Sequence, residues 1–261
     1  MNSYPFYLVD AFASEPFKGN VAAVCPLPSW PDDAVLQKMA IEHNQSETAF
    51  FVPKDDGYEL RWFTILGEIN LCGHATQASA HVIFRHLNFV SARLRFQTRF
   101  VGDLFVTRQG DWLTLDFPSW IPEPVAMPEI AAASLGGIVP LKAYCQRDYL
   151  FLLRDAAEVR AVKPNYAVME KLGRQVCVTA TGDDCDFVSR FFCPGDAMPE
   201  DPVTGSAHAM LVPFWAKRLG QTTMLARQLS ERGGELRCEL AGDRVLIAGQ
   251  AVTYLEGQVR F

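Results

Sequence analysis

A mixed α/β fold built from two similar halves is what this sequence predicts, and three observations carry the prediction. Short aromatic and β-branched segments alternate with helical stretches from one end to the other. Two of those helical stretches, opening at Gly73 and Gly205, are apolar almost all the way round, a pattern that belongs inside a protein. The third observation is a faint internal repeat. Arg61-Trp62-Phe63, Gly67-Glu68 and Cys72-Gly73-His74-Ala75 have counterparts in Arg190-Phe191-Phe192, Gly195-Asp196 and Thr204-Gly205-Ser206-Ala207. In each copy an aromatic strand leads through a short loop into a helix that starts Gly-polar-Ala, and the two starts lie 132 residues apart.

The elements follow in order. Tyr4 to Asp10 reads as a strand, and Val21 to Val24 as another after the turn at Lys18-Gly19-Asn20. Pro31-Asp32-Asp33 opens a helix whose Val35, Leu36, Met39, Ala40 and His43 recur at helical spacing. Strands resume at Glu47 to Val52 and Tyr58 to Ile65. The Gly73 helix runs to about Leu87, and strands return near Leu94 to Phe96, Gly102 to Arg108 and Trp112 to Phe117. A Pro-rich stretch from Phe117 to Pro128 reads as a linker near the middle. Beyond it come strands near Ala143 to Leu153, a helix around Tyr166 to Leu172, and strands at Val176 to Thr179 and Phe187 to Phe192. The Gly205 helix extends to Leu219, and Gly234 to Phe261 alternates like a β-meander. The expected halves are residues 1–117 and 118–261, with the last strand able to cross to the first half.

Composition bounds the function. The chain has 261 residues, 49% hydrophobic and 21% charged, enough to bury a core in one large domain or in two of about 130 residues. A net charge of −6 argues against nucleic acid or an anionic membrane as partner. No apolar run reaches the length of a membrane span. The N-terminus lacks the basic and apolar regions of an export signal. Seven cysteines, an odd number, then read as reduced thiols in a cytoplasmic protein, and Asn44-Gln45-Ser46 as a chance glycosylation match. There is no G-x-G-x-x-G, no phosphate-binding Walker loop, no C-x-x-C and no H-E-x-x-H. His43, His74, His81, His86 and His208 show no metal spacing, and His81 and His86 read as packed or solvated helix residues. No cofactor and no metal are implied.

Four groups of residues invite chemistry. The backbone N–H groups at the Gly73 and Gly205 helix starts favour an anion, most simply a carboxylate, although both glycines also suit close helix–sheet packing. Glu47 stands at the head of an apolar strand, where partial desolvation raises a carboxylate's proton affinity toward that of a general acid/base; a plain strand-end glutamate is the competing reading. Glu200-Asp201-Pro202-Val203-Thr204-Gly205-Ser206-Ala207-His208 is the densest polar cluster, with Asp201 or Thr204 as an N-cap. Ser206 and His208 face different ways on a helix, and no nucleophile elbow is present, so hydrolase chemistry is discounted. Cys72 heads the first helix, but Thr204 occupies the matching place in the second half, which disfavours a two-thiol racemase and leaves Cys72 as a packed small residue.

Taken together, these motifs resemble the PhzF-like family, named for a phenazine-biosynthesis isomerase and sharing its fold with diaminopimelate epimerase. The resemblance runs through Val9-Asp10-Ala11-Phe12, Pro16-Phe17-Lys18-Gly19-Asn20, Ser46-Glu47-Thr48-Ala49-Phe50 and Leu71-Cys72-Gly73-His74-Ala75-Thr76. It continues in the Glu200 to Ser206 segment, Arg232-Gly233-Gly234 and Ile247-Ala248-Gly249-Gln250-Ala251-Val252. It implies two pseudo-symmetric α/β halves, each a β-barrel-like sheet round a central helix, facing across a cleft. It also implies a homodimer and a cofactor-free proton shuttle acting on a small, conjugated or cyclic carboxylic acid. By the resemblance Glu47 is the acid/base, His74, Asp201 and Ser206 orient substrate and assist proton movement, and Gly73, Thr204 and Gly205 lie where the substrate carboxylate is held. The segment Glu68-Ile69-Asn70 departs from the family, where an acidic residue often replaces Asn70. Two alternatives stand beside this reading: a non-catalytic carboxylate-binding protein, and an epimerase using Cys72 as a base.

Overall fold

The computed structural model describes residues 3–196 and 198–261. The chain forms two compact units, Met1–Asp116 with Ala248–Phe261, and Phe117–Ile247.

In the first unit, Ser3–Ala11 pairs antiparallel with Asn20–Pro26 and with the C-terminal strand Ala251–Arg260. Asn20–Pro26 runs parallel to Thr48–Lys54, a step bridged by the helix Asp33–His43. Thr48–Lys54 pairs antiparallel with Gly57–Phe63, which carries the two-residue strand Glu68–Ile69 and, in parallel, Arg93–Thr98. That second parallel step is bridged by the Gly73–His86 helix. Asp103–Gln109 and Trp112–Pro118 complete the sheet antiparallel.

The second unit repeats these connections. Lys142–Cys145 and Tyr149–Leu152 form an antiparallel pair, the strands expected near Ala143 to Leu153. Tyr149–Leu152 runs parallel to Val176–Thr181 after the helix Ala156–Ala161, which the sequence reading passes over. Val176–Thr181 pairs antiparallel with Phe187–Phe192, which carries the short Glu200–Asp201 and, in parallel, Thr223–Gln228. The Gly205–Leu219 helix bridges that step, and Gly234–Ala241 follows antiparallel. Of the expected C-terminal meander, the strand Ala251–Arg260 joins the first unit's sheet beside Ser3–Ala11.

The two long apolar helices are buried as their composition demands. In Gly73–His86 every residue from His74 to Ala80 is buried, and in Gly205–Leu219 burial runs from Ala207 to Ala216. Pro213 sits inside the second helix and cannot donate to the Ala209 carbonyl one turn back. The backbone N–H of Trp120 donates to that carbonyl instead, at 2.9 Å. The Pro-rich segment is therefore more than a linker. Ser119 donates its N–H to Asp243, and Glu123–Val125 pairs with Lys142–Cys145.

Each unit also holds an arginine–glutamate pair, but in the second unit the acid is Glu200 and not the Asp196 that the repeat sets against Glu68. Arg61 grips Glu68 with two hydrogen bonds of 2.7 and 2.8 Å and lies over the Phe63 ring. Arg190 grips Glu200 with two of 2.8 Å and lies over Phe192. Such bidentate, half-buried pairs tie the short strand to its neighbour and so fix the loop that feeds each helix start. No helix among the described residues is long and apolar enough to cross a membrane.

Candidate functional site

In the first unit the chemistry gathers at the start of the Gly73 helix. Glu47 immediately precedes Thr48–Lys54, and its backbone carbonyl accepts a hydrogen bond from Ala23, which fixes the strand head against Asn20–Pro26. His74, in the helix's first turn, places Nε2 3.2 Å from a Glu47 carboxylate oxygen. The His74 side chain is 6% exposed and the Glu47 side chain 19%. On the other side of the ring, Nδ1 lies 3.1 Å from the Asn20 amide nitrogen and 3.5 Å from Cys72 Sγ. The ring thus meets a carboxylate at Nε2 and an amide and a thiol at Nδ1. Gly19 makes this possible. Its φ is +66°, and a Cβ there would stand 2.0 Å from the Ala11 carbonyl oxygen, so only glycine lets the chain turn sharply enough to deliver the buried Asn20.

The electrostatics of the pair correct one expectation. Burial does push Glu47 toward the protonated form, as the sequence suggests. The charge and hydrogen bond of His74, with help from Ser46, outweigh it and leave the carboxyl below its usual range. His74 moves the other way. Burial opposes its charge, but the Glu47 carboxylate beside it raises it well above the ordinary imidazole value. Burial drives the Cys72 thiol upward, so it stays a neutral thiol. The arrangement is an ionised carboxylate held by an imidazolium, the first largely buried and the second almost wholly so.

In the second unit the Gly205 helix start gathers hydroxyls. Thr204 Oγ1 donates to Asp201 at 2.6 Å, and Arg147 donates to Ser206 Oγ at 3.2 Å. Thr204 stands at the N-cap position but makes no side-chain cap bond; its hydroxyl goes to Asp201 instead. Gln228 holds this corner together. Its carbonyl accepts the Thr204 N–H at 2.9 Å, and its amide donates to the Asp201 carbonyl at 2.7 Å. His208 turns away from Ser206 and donates Nδ1–H to the Thr204 carbonyl at 2.8 Å, and burial pushes its pKa down to about 4, leaving it neutral. Like the Gly205 helix, the Gly73 helix has no side-chain cap bond at its N-terminus. His81 and His86, on the first unit's helix, both meet the Thr253 hydroxyl, at 3.0 and 2.9 Å.

Two residues that the sequence reading did not single out belong to these groups. Asn20 meets the buried His74 ring at Nδ1. Arg147 is fixed on three sides, by the buried Asp148 at 2.6 Å, by the Trp120 ring 4.9 Å below it and by Ser206. Asn20 lies 54 residues from His74 and Arg147 lies 59 residues from Ser206, so no local motif joins them.

Against known proteins, the family model for the phenazine biosynthesis-like protein matches residues 9–257. The chain belongs to the phenazine biosynthesis-like (PhzF) family. Within it, an uncharacterized isomerase of Pseudomonas aeruginosa is 48% identical over 252 residues, covering 96% of each chain. The human phenazine biosynthesis-like domain-containing protein is 37% identical, covering 97% of this chain and 98% of its own. The crystal structure of a PhzF-family protein from Enterococcus faecalis superposes with a TM-score of 0.97 at 46% identity over the whole of both chains. The fold extends further: a hydroxyproline epimerase from Agrobacterium vitis, only 11% identical, still superposes with a TM-score of 0.62. The chain is thus an enzyme of the isomerase class with an epimerase-like fold.

Proposed function

We propose that this protein is a cofactor-independent isomerase that moves a proton between two carbons of a small carboxylic acid, with Glu47 as the group that takes the proton and gives it back. One observation carries the reading: an ionised, largely enclosed carboxylate lies 3.2 Å from the Nε2 of a buried imidazole. The carboxylate is free of its proton at neutral pH and so ready to accept one. The imidazolium beside it keeps it in one position and responds as its charge is lost and regained.

The step balances without a cofactor. Glu47 takes a proton from a carbon made acidic by conjugation with the substrate's carboxyl group. The C–H electron pair moves into that conjugated system, and the proton returns to another carbon. The developing negative charge needs fixed dipoles, and the first-turn N–H groups beginning at Gly73 and Gly205 are the proposed donors. His74, Asp201 and Ser206 are assigned to orienting the substrate, with Thr204 holding Asp201 in place. Cys72 is left out of the acid/base work, because a thiol that burial keeps protonated is a poor base.

Incubation with conjugated and cyclic carboxylic acids in ²H₂O tests this. The wild-type enzyme is expected to wash deuterium into a carbon-bound position of its substrate, and Glu47→Gln to bind the same acid without exchange. Undiminished exchange by Glu47→Gln would remove the proposal.

A further inference from the structure

A cavity of about 820 Å³ opens at the other end of the Gly73–His86 helix. Its wall comes from the last turns of that helix, the Gly110-Asp111 turn that follows Asp103–Gln109, and the start of Ala251–Arg260. All three segments belong to the first unit. The cavity is remote from the Glu47 group, since Arg85 follows His74 by 11 residues, about 16 Å along a helix axis.

Two guanidiniums line it. That of Arg108 lies 4.7 Å from the centroid of the Phe84 ring, which steadies it against the wall. Arg85 is exposed in the last helical turn. Neither side chain has an ion pair or a hydrogen bond among the described residues. The one carboxylate in the lining is the exposed Asp111. His81 adds a neutral ring, because burial, and then His86 and Arg85, push its pKa down to about 4. The Thr253 hydroxyl ties His81 and His86 to the same wall. An arginine in a last helical turn suits the helix dipole by itself, but Arg108 comes from a strand and has no such reason.

The second unit shows what the fold requires at this place. By the same 132-residue offset, His81 corresponds to Pro213, Phe84 to Ala216, Arg108 to Leu240 and Gly110 to Gly242. Those four counterparts line a cavity of about 670 Å³ at the end of the Gly205–Leu219 helix. Lys217, the counterpart of Arg85, is the one charged residue in that lining. The scaffold therefore accepts an apolar leucine where the first unit carries an unpaired arginine stacked on a ring. A demand of folding alone is met equally by either.

We propose that the first unit's cavity is a second binding site, for a small organic carboxylate. Arg85 and Arg108 take the carboxylate, whose geometry matches the planar guanidinium fork. The apolar body lies along Phe84, Leu113 and Val252, and the volume is that of a small-molecule site. None of these residues takes part in the proposed proton transfer, so the site stands without the isomerase reading.

Benzoate is the probe, with benzamide as its uncharged isostere and acetate as the same charge without the ring. The ¹⁵N NMR signals of the Arg85 and Arg108 side chains report the site directly. Millimolar benzoate is expected to shift both saturably, benzamide neither, and acetate only at much higher concentration. Arg108→Leu, which installs the second unit's residue, is expected to weaken the benzoate titration of the Arg85 signal roughly tenfold or more, and Arg85→Gln that of the Arg108 signal likewise. Glu47→Gln is expected to leave both titrations unchanged, which separates this site from any carboxylate held near Gly73. Unshifted arginine signals in benzoate overturn the proposal, as do equal shifts with benzamide. Equal affinity for acetate overturns it too, because the apolar wall then contributes nothing. Should either arginine variant fail to fold, the three titrations of the wild type decide alone.

Discussion

The two buried helices begin alike and end up chemically different. Position by position, Cys72 corresponds to Thr204, His74 to Ser206 and Thr76 to His208. The shared scaffold is visible in the back-bonds. Thr76 Oγ1 donates to the Cys72 carbonyl at 2.6 Å, and His208 Nδ1 donates to the Thr204 carbonyl at 2.8 Å. The loops that feed the two helices are gripped by the same kind of arginine–glutamate pair. Yet the first start carries a carboxylate and an imidazole in contact, while the second carries two hydroxyls, a carboxylate turned onto one of them and a neutral, inward-facing histidine. The two halves share an architecture while the side-chain chemistry at the two starts differs. A protein with a thiol at both starts could abstract a proton on one side and deliver one from the other. In the proposed reading Thr204 in place of a second thiol excludes a two-thiol exchange, and Glu47 both takes the proton and returns it.

Experiments that break this asymmetry should show effects in descending order. Glu47→Gln is expected to reduce exchange by about 10²–10⁴-fold, the contribution typical of a placed acid/base, measured by deuterium incorporation. A comparable loss from Ser206→Ala would contradict the division of labour between the two starts. His208 makes stability depend on pH. Its pKa in the folded protein is about 4 against an ordinary 6.5, so below pH 6.5 the unfolded chain binds a proton that the folded one refuses. Stability therefore falls as the pH drops from 6.5 toward 4, by up to about 3 kcal/mol from this residue. His208→Gln is expected to flatten that part of an acid titration followed by urea unfolding, leaving the share due to His43 and His81, which burial lowers in the same sense.

Smaller effects follow from the corner that Gln228 ties. Gln228→Ala strips a partner from the Thr204 N–H and from the Asp201 carbonyl, and is expected to cost about 1–3 kcal/mol in chemical denaturation. Arg147→Ala is expected to raise KM a few-fold with kcat nearly unchanged, because the residue touches Ser206, and to lower the thermal midpoint, because the buried Asp148 loses its partner. A fall in kcat with KM unchanged would move Arg147 from binding into the proton transfer itself.

How much of this was legible in the chain depends on the range of the interaction. The Gly73 and Gly205 helices and the strand Phe187–Phe192 were readable because their patterns are local and unbroken. Thr223–Gln228 was not: Met224, Ala226 and Gln228 alternate inward, but a buried glutamine hides the apolar period that marks a strand. Ala156–Ala161 was missed although Asp155 and Glu158 form a reciprocal cap, with Asp155 accepting the Glu158 N–H at 2.8 Å and Glu158 the Arg154 N–H at 2.9 Å. Glu47 and His74 could be picked out by residue type and motif. The direction of Glu47's proton affinity could not, because burial is visible in a strand's neighbours whereas the opposing charge arrives from a different element. Asn20 and Arg147 are partners across dozens of residues and carry no spacing that announces them.

The central claim is that His74 holds Glu47 ionised against the burial that would protonate it. Following the Glu47 carboxyl carbon by ¹³C NMR across pH, in the wild type and in His74→Asn, tests it without any substrate. The wild-type carboxyl is expected to titrate below the ordinary glutamate value. In the variant burial acts unopposed, and the midpoint is expected above that value, carrying the acid limb of the exchange rate with it. A Glu47 midpoint that stays where it was when the imidazole is removed would contradict the account.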